Sequence, residues 1–332
     1  MNQSTQMSYH EFFSVLSCAI LQELGTDYET YPVTNAKNNG IHRQGIVIRQ
    51  KERKAAPAIY LDSYYQEYQS GKILSDILRH ILYVYRESTT DSGKYSLEKI
   101  ELTAEYMQSH LICTLVGYQK NEALLQGLPH IRLFDLAIYF KLLVYQNEEG
   151  IGTIRFTNQH FEQLLPMFAT HDASKQLHML YQLAIANTQR LFPFRFHTLR
   201  NMMEHMLGGA EPTRISLTSC ADAKDSPLYV LTNASGIGGA ACILYPGVLQ
   251  YLQNYLTSDF FLIPSSIHEL LIMPKHSNFS QEQLNDMISE INQTQVPAED
   301  VLSNRSYRSE EWEEVLSLLS ERADGLSYTM NE

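Results

Sequence analysis

No apolar run in this chain reaches the ~18 residues that a membrane-crossing helix needs. Met1 to His10 is polar, without the basic start and apolar stretch of a secretory leader. Neither a membrane span nor export is expected, and the expected location is the cytoplasm. The cysteines Cys18, Cys113, Cys220 and Cys242 lie far apart and form no CxxC pair. That spacing excludes a zinc ribbon and a thioredoxin-type motif. Cys18, Cys113 and Cys242 sit in apolar runs, where a free thiol acts as a small hydrophobe, and such usage suits a reducing compartment. Positive charge is also short: 25 Lys and Arg face 37 Asp and Glu, a net charge of −12. Duplex binding relies on cations that release counterions from phosphates, so no nucleic-acid partner is expected. Anionic membrane surfaces are disfavoured by the same sign argument. The densest basic stretch, Arg49, Lys51, Arg53 and Lys54, is interrupted by Glu52 and reads as a solvated strand end.

What is present is an ordinary globular composition, 44% apolar and 19% charged over 332 residues. A chain of this length buries a sizeable core. Ser8 and Glu11 form a capping box, and Phe12, Phe13, Leu16 and Ile20 follow at helical spacing. Extended runs Tyr28 to Thr34 and His42 to Arg49 flank Asn38-Asn39-Gly40, a hairpin signal. Helical periodicity returns from Leu61 to Arg86, divided by Gly71. Beyond the polar Ser88–Tyr95 stretch, a helix near Glu98–Met107 is expected, then strands at Leu111–Tyr118, Phe134–Tyr145 and Gly152–Thr157. Two helices follow, one with Leu177, Leu180, Tyr181 and Ala184 on a face, the other with Phe196, Leu199, Met202, Met203 and Met206.

After Gly208–Pro212, the runs Leu228–Thr232 and Ala240–Tyr245 read as strands around a glycine-rich turn. A helix from Pro246, a hairpin of Phe260–Ile263 with Glu269–Met273, and a helix capped by Ser280 come next. The Trp312 helix and a loose end from Gly325 complete the chain. Strands do not alternate singly with helices, so a doubly wound parallel sheet is not expected. The expected fold is α+β: antiparallel sheets flanked by helices, in hairpin-then-helix modules. Expected divisions are 1–92, 93–210, 211–304 and an amphipathic helix with tail at 305–332.

Motifs that would carry chemistry each break at a definable residue. Gly236-Ile237-Gly238-Gly239-Ala240-Ala241 fits G-x-G-x-x-G/A, and Asp259 stands where a ribose-binding acid could lie. The loop must open a helix that holds the pyrophosphate. Cys242 to Tyr245 instead reads as a strand before Pro246, so a hairpin turn is the simpler account. His268-Glu269 begins an HExxH, but Ile272 stands at the second ligand position. His160, His171 and His178 are spaced too widely for a local metal site, and Asp172, Asp222 and Asp225 lack a calcium-loop pattern. Ser96-Leu97-Glu98-Lys99 fits S-x-x-K without its partner motifs. No P-loop or nucleophile elbow occurs, and no metal or cofactor is expected.

Two places remain of interest. Ser265, Ser266, His268 and Glu269 cluster between two apolar strands, and polar residues on a rigidly held loop are candidates for catalysis. A serine hydrolase needs its groups to converge, whereas neighbours in an extended segment point to opposite faces. Asn233 is a candidate binding residue, and a pocket shared by the Asn233–Gly239 turn, Ser266 and His268 is the arrangement to test in the structure. Tyrosine is abundant, at 21 residues, and Tyr64, Tyr65 and Tyr68 share one side of a helix. Such rings suit a protein interface, and equally a core with hydroxyls reaching water.

Several segments in order carry a resemblance: Ile59–Tyr65, Val116–Asn121, Leu128–His130, Phe134–Ile138, Ala240–Gly247, Ser258–Glu269 and Glu290–Val296. Together they resemble an uncharacterised bacterial family, a domain of unknown function common in anaerobic gut bacteria. The resemblance runs from about Ser8 to Tyr307 and leaves the Trp312 helix outside. It implies no catalytic residue and no cofactor, only that Pro264–Glu269 and Tyr245–Gly247 belong to the family pattern. The function expected is non-enzymatic protein binding inside the cell. The alternative is a hydrolytic enzyme with its site around Ser265–Glu269.

Overall fold

The computed structural model describes residues 6–52, 56, 58–90, 101–147, 150–206, 226–264, 266–275 and 279–321. Ser265, Cys220, Asp222, Asp225, the Gly208–Pro212 boundary and the end from Gly325 lie outside the described residues. The chain forms two compact units: Met1–Lys37 with Ile41–Glu101, and Asn38–Gly40 with Leu102–Glu332.

In the first unit, Ser8 caps α1 (Tyr9–Leu24) with the reciprocal Glu11 contact that the sequence predicts. β1 (Tyr28–Ala36), β2 (His42–Gln50) and β3 (Ala58–Tyr60) form an antiparallel sheet in that order. Asn39 and Gly40 take φ of 59° and 71° in the connecting turn, as an Asn-Gly turn allows. Gly71, at φ 99°, separates α2 (Asp62–Gln69) from α3 (Leu74–Thr90). Phe12, Leu16 and Ile20 meet Ile46, Ile48, Ile77 and Ile81 in a core of their own.

The second unit holds two antiparallel sheets. In the first, β6 (Leu136–Asn147) pairs with β4 (Leu111–Gly117) on one edge. Its other edge carries β5 (His130–Leu133) and β7 (Gly150–Arg155), one at each end. The second sheet runs β12 (Tyr307–Arg308), β10 (Phe260–Ile263), β11 (Leu270–Pro274), β9 (Tyr229–Asn233) and β8 (Phe194–Thr198). Helices α4 (Ala104–His110), α5 (Glu122–Leu125), α6 (Asn158–Leu164), α7 (Ala173–Leu191), α8 (Leu199–Met206), α9 (Val248–Leu256), α10 (Gln281–Thr294) and α11 (Ser309–Glu321) accompany them.

Every residue of β10 is buried because the two faces of its sheet are both covered. Phe260 and Leu262 enter the main core, and Phe261 and Ile263 meet Leu284 and Ile288 of α10. The main core runs from Met107 to Leu319 and so draws on the segments expected at 93–210, 211–304 and 305–332. Trp312 is among its largest fully buried side chains.

The α+β fold with hairpins leading into helices is observed, with three local departures. Ala240–Tyr245 is not a strand: Gly239–Leu244 is a 3₁₀ helix, buried throughout. A short apolar run looks the same in either form, and burial on all sides removes the periodicity that would distinguish them. Phe196 belongs to β8 rather than to the Met202 helix; Pro193 has ended α7, and Phe194–Thr198 pairs with β9. The helix expected near Glu98 begins at Ala104, where Thr103 supplies the cap.

Candidate functional site

The glycine turn and the Ser266–Glu269 loop meet in one place. Asn233, at the end of β9, is buried and builds the turn from within. Its carboxamide oxygen accepts from the Ser235 N–H (3.0 Å) and hydroxyl (2.8 Å), and its nitrogen donates to Ile237 O (2.8 Å). Gly236 and Gly238 take φ of 68° and 65°, a left-handed conformation that glycine adopts without strain. A Cβ on Gly239 would stand 2.3 Å from Thr232 Oγ1 and 2.4 Å from His268 O. The glycine allows β9 and the His268 backbone to close onto the turn.

That closure decides what the turn can bind. Gly238 N–H donates to His268 Nδ1 (3.2 Å), and Ala240 N–H donates to Ile267 O (3.2 Å). Gly236 N–H donates to Asn233 O (3.2 Å), and Ile237 N–H to Ser235 Oγ (3.2 Å). The turn does lead into a helix, as the dinucleotide motif demands, but the N–H groups of Ser235, Gly236, Ile237, Gly238 and Ala240 are spent on protein acceptors. A phosphate would have to displace them.

The opposite wall is sewn down as firmly. Ser266 forms a bridge with Val301, Ile267 N–H donates to Asp300 O (2.8 Å), and Thr232 Oγ1 donates to His268 O (2.8 Å). Ser266 is buried, and its hydroxyl accepts from the His268 N–H (3.0 Å), not from the imidazole. Because His268 Nδ1 accepts a backbone proton, the ring proton resides on Nε2 in the neutral form. Nε2 lies 3.3 Å from Asp300 Oδ1. Burial pushes the Glu269 carboxyl above its ordinary value; His268 and the Ser266 hydroxyl oppose the rise and Asp300 adds to it.

Ser266, His268, Glu269 and the Asn233–Gly239 turn therefore converge, as a shared site would require. They converge with Ser266 bonded to the His268 backbone N–H and the imidazole to Gly238 and Asp300, so the Ser266 hydroxyl makes no hydrogen bond to the imidazole. Asp300 and Thr232 complete the cluster, and no local pattern in the sequence marks either one. Asn39 and Asn121 hold the same 298–301 segment. Their carboxamides pair (2.8 Å), and Asn39 donates to Ala298 O (2.8 Å) and Val301 O (2.7 Å).

The tyrosine face of α2 is turned inward. Tyr64 is buried, and Tyr65 and Tyr68 pack on Phe12 at ring distances of 5.3 and 5.4 Å. Tyr65 OH donates to Met7 O (3.0 Å), and Tyr68 OH accepts from Met7 N–H (3.1 Å). α2 also borders an open hollow of about 520 Å³ lined by Ser63, Gln66, Glu67, Ser70 and Lys72.

Among the described residues no group of His, Cys, Asp or Glu could hold a metal ion. Cys113 and Cys242 are buried, and burial pushes both thiols up to about 12, which keeps them neutral and unreactive. No helix among the described residues is long and apolar enough to cross a membrane.

No curated protein matches the chain, and no solved structure matches it. A family model described as a family of unknown function, DUF5688, matches residues 9–309, ending at the first residue of α11. The chain belongs to that family, DUF5688.

Proposed function

We propose that the chain is a non-enzymatic, protein-binding component of a reducing bacterial cytoplasm. One observation carries this reading. The groups most able to do chemistry, Ser266 and His268, are engaged in bonds that hold the turn and loop together. An imidazole with Nδ1 on a backbone N–H and Nε2 against a carboxylate is held as a structural bracket. The free thiols among the described residues (Cys18, Cys113 and Cys242) agree with a reducing compartment. The excess of acid over base opposes a nucleic-acid partner. Affinity purification from a bacterium that carries the protein should recover another protein in stoichiometric amount. Recovery of none, under cross-linking as well, would sink the proposal.

A hydrolytic role is the second reading, favoured by the convergence of His268, Asp300 and the raised carboxyl of Glu269. It requires His268 to exchange its Gly238 partner for a substrate. Turnover of an ester or amide panel that disappears in both His268→Ala and Ser266→Ala, with melting behaviour unchanged, would establish it over the first.

A further inference from the structure

Helix α10 buries one face and leaves another uncovered. Leu284 and Ile288 pack on Phe261, Ile263 and Met273 of the sheet beneath. On the shoulder of that buried face, Met287 and Ile291 are 46% and 45% exposed, and Phe279, just before the Ser280 cap, is 46% exposed. Met287 and Ile291 step by four and form one row along the helix with Gln283, while Phe279 lies just outside its N-terminus. Immediately beside it runs a second row at the same spacing, Glu282, Asp286 and Glu290, all exposed. The helix has no lysine or arginine. None of the three carboxylates enters an ion pair among the described residues.

An apolar row beside an uncompensated acidic row has a defined complement. We infer that α10 is the docking face for a basic amphipathic helix of a partner protein, a reading that rests on the protein-binding function proposed above. The partner's apolar side chains would seat against Phe279, Met287 and Ile291, with methionine adapting to their shape. Its lysines or arginines, one turn apart, would meet Glu282, Asp286 and Glu290. A second copy of this chain is the wrong occupant, because two α10 helices placed face to face would bring like-charged rows together. An anionic bilayer fails for the same reason.

The test uses the full chain and a fluorescein-labelled helical peptide with leucines along one face and lysines along the next, against the same residues scrambled. Anisotropy titration at ordinary salt should show binding of the patterned peptide and much weaker binding of the scrambled one. A chain with Met287→Ser and Ile291→Ser, and another with Asp286→Lys and Glu290→Lys, should each bind about tenfold more weakly or worse. The milder pair Asp286→Asn and Glu290→Gln, which keeps side-chain shape, guards against misfolding and should weaken binding in the same direction. Equal binding of the two peptides, no binding of the patterned one, or wild-type binding by the variants would each overturn the proposal. So would concentration-dependent dimerisation, read by light scattering, that Ile291→Ser abolishes. A native partner retained by the Met287→Ser, Ile291→Ser chain would overturn α10 as the site and leave the protein-binding function intact.

Discussion

Glu269 is a carboxyl half-buried between a histidine and a second carboxylate, and its titration reports on the loop. Burial raises its folded value above the ordinary 4.5. The folded state therefore holds this proton more tightly than the unfolded chain does. The stability it contributes is complete below 4.5 and is lost as pH rises through the raised value. Glu269→Gln removes the titration. Urea unfolding at a series of pH values should show the wild type losing stability relative to the variant from about pH 4.5 upward, then running parallel to it. Curves parallel throughout would show that the carboxyl is not held as described. The His268–Asp300 pair beside it could be met only in the fold. A histidine reads as a ligand or base from sequence, and its partners come from Gly238 and Asp300 at long separation.

Among the elements, the glycine turn with its 3₁₀ helix shows how a motif can be correct in letters and different in use. Glycines suit close approach, and here the approaching group is the protein's own backbone. Gly239→Ala would place a methyl group 2.4 Å from His268 O and 2.8 Å from Asn233 N, both main-chain atoms that cannot swing aside. It should destabilise the fold by roughly 1–3 kcal/mol or more, as forced overpacking does. Chemical denaturation would measure it, and a loss below half that range would mean the turn relaxes more freely than its hydrogen bonds suggest. The capped helices contrast with this turn. Ser8 with Glu11 and Ser280 with Gln283 were legible because a capping box is a local interaction. Ala240–Tyr245 reads as a strand from sequence but is helical to Leu244, because its shape is set by neighbours on every side and local periodicity carries no record of them.

Among the described residues the two largest cores share no residue, one around Ile46 and Ile81 and one running from Met107 to Leu319. A cavity in one should not loosen the other. Ile81→Ala and Leu252→Ala, both at fully buried positions, should each cost about 2–5 kcal/mol. Calorimetry should show each substitution lowering a different transition. A single transition lowered equally by both would show that the units unfold as one.

Composition and local pattern were enough to establish the acidic balance, the absence of a membrane-crossing run, the antiparallel pairing and the starts of the capped helices α1 and α10. Those properties rest on interactions within a few residues or on sums over the chain. The inward packing of the α2 tyrosines, the engagement of the glycine turn by the His268 loop and the bracket around His268 were settled by packing between distant segments. The uncovered face of α10 arises the same way. Its Met287 and Ile291 have the same apolar character as Leu284 and Ile288, and only the position of the sheet beneath determines which pair is buried and which is left exposed.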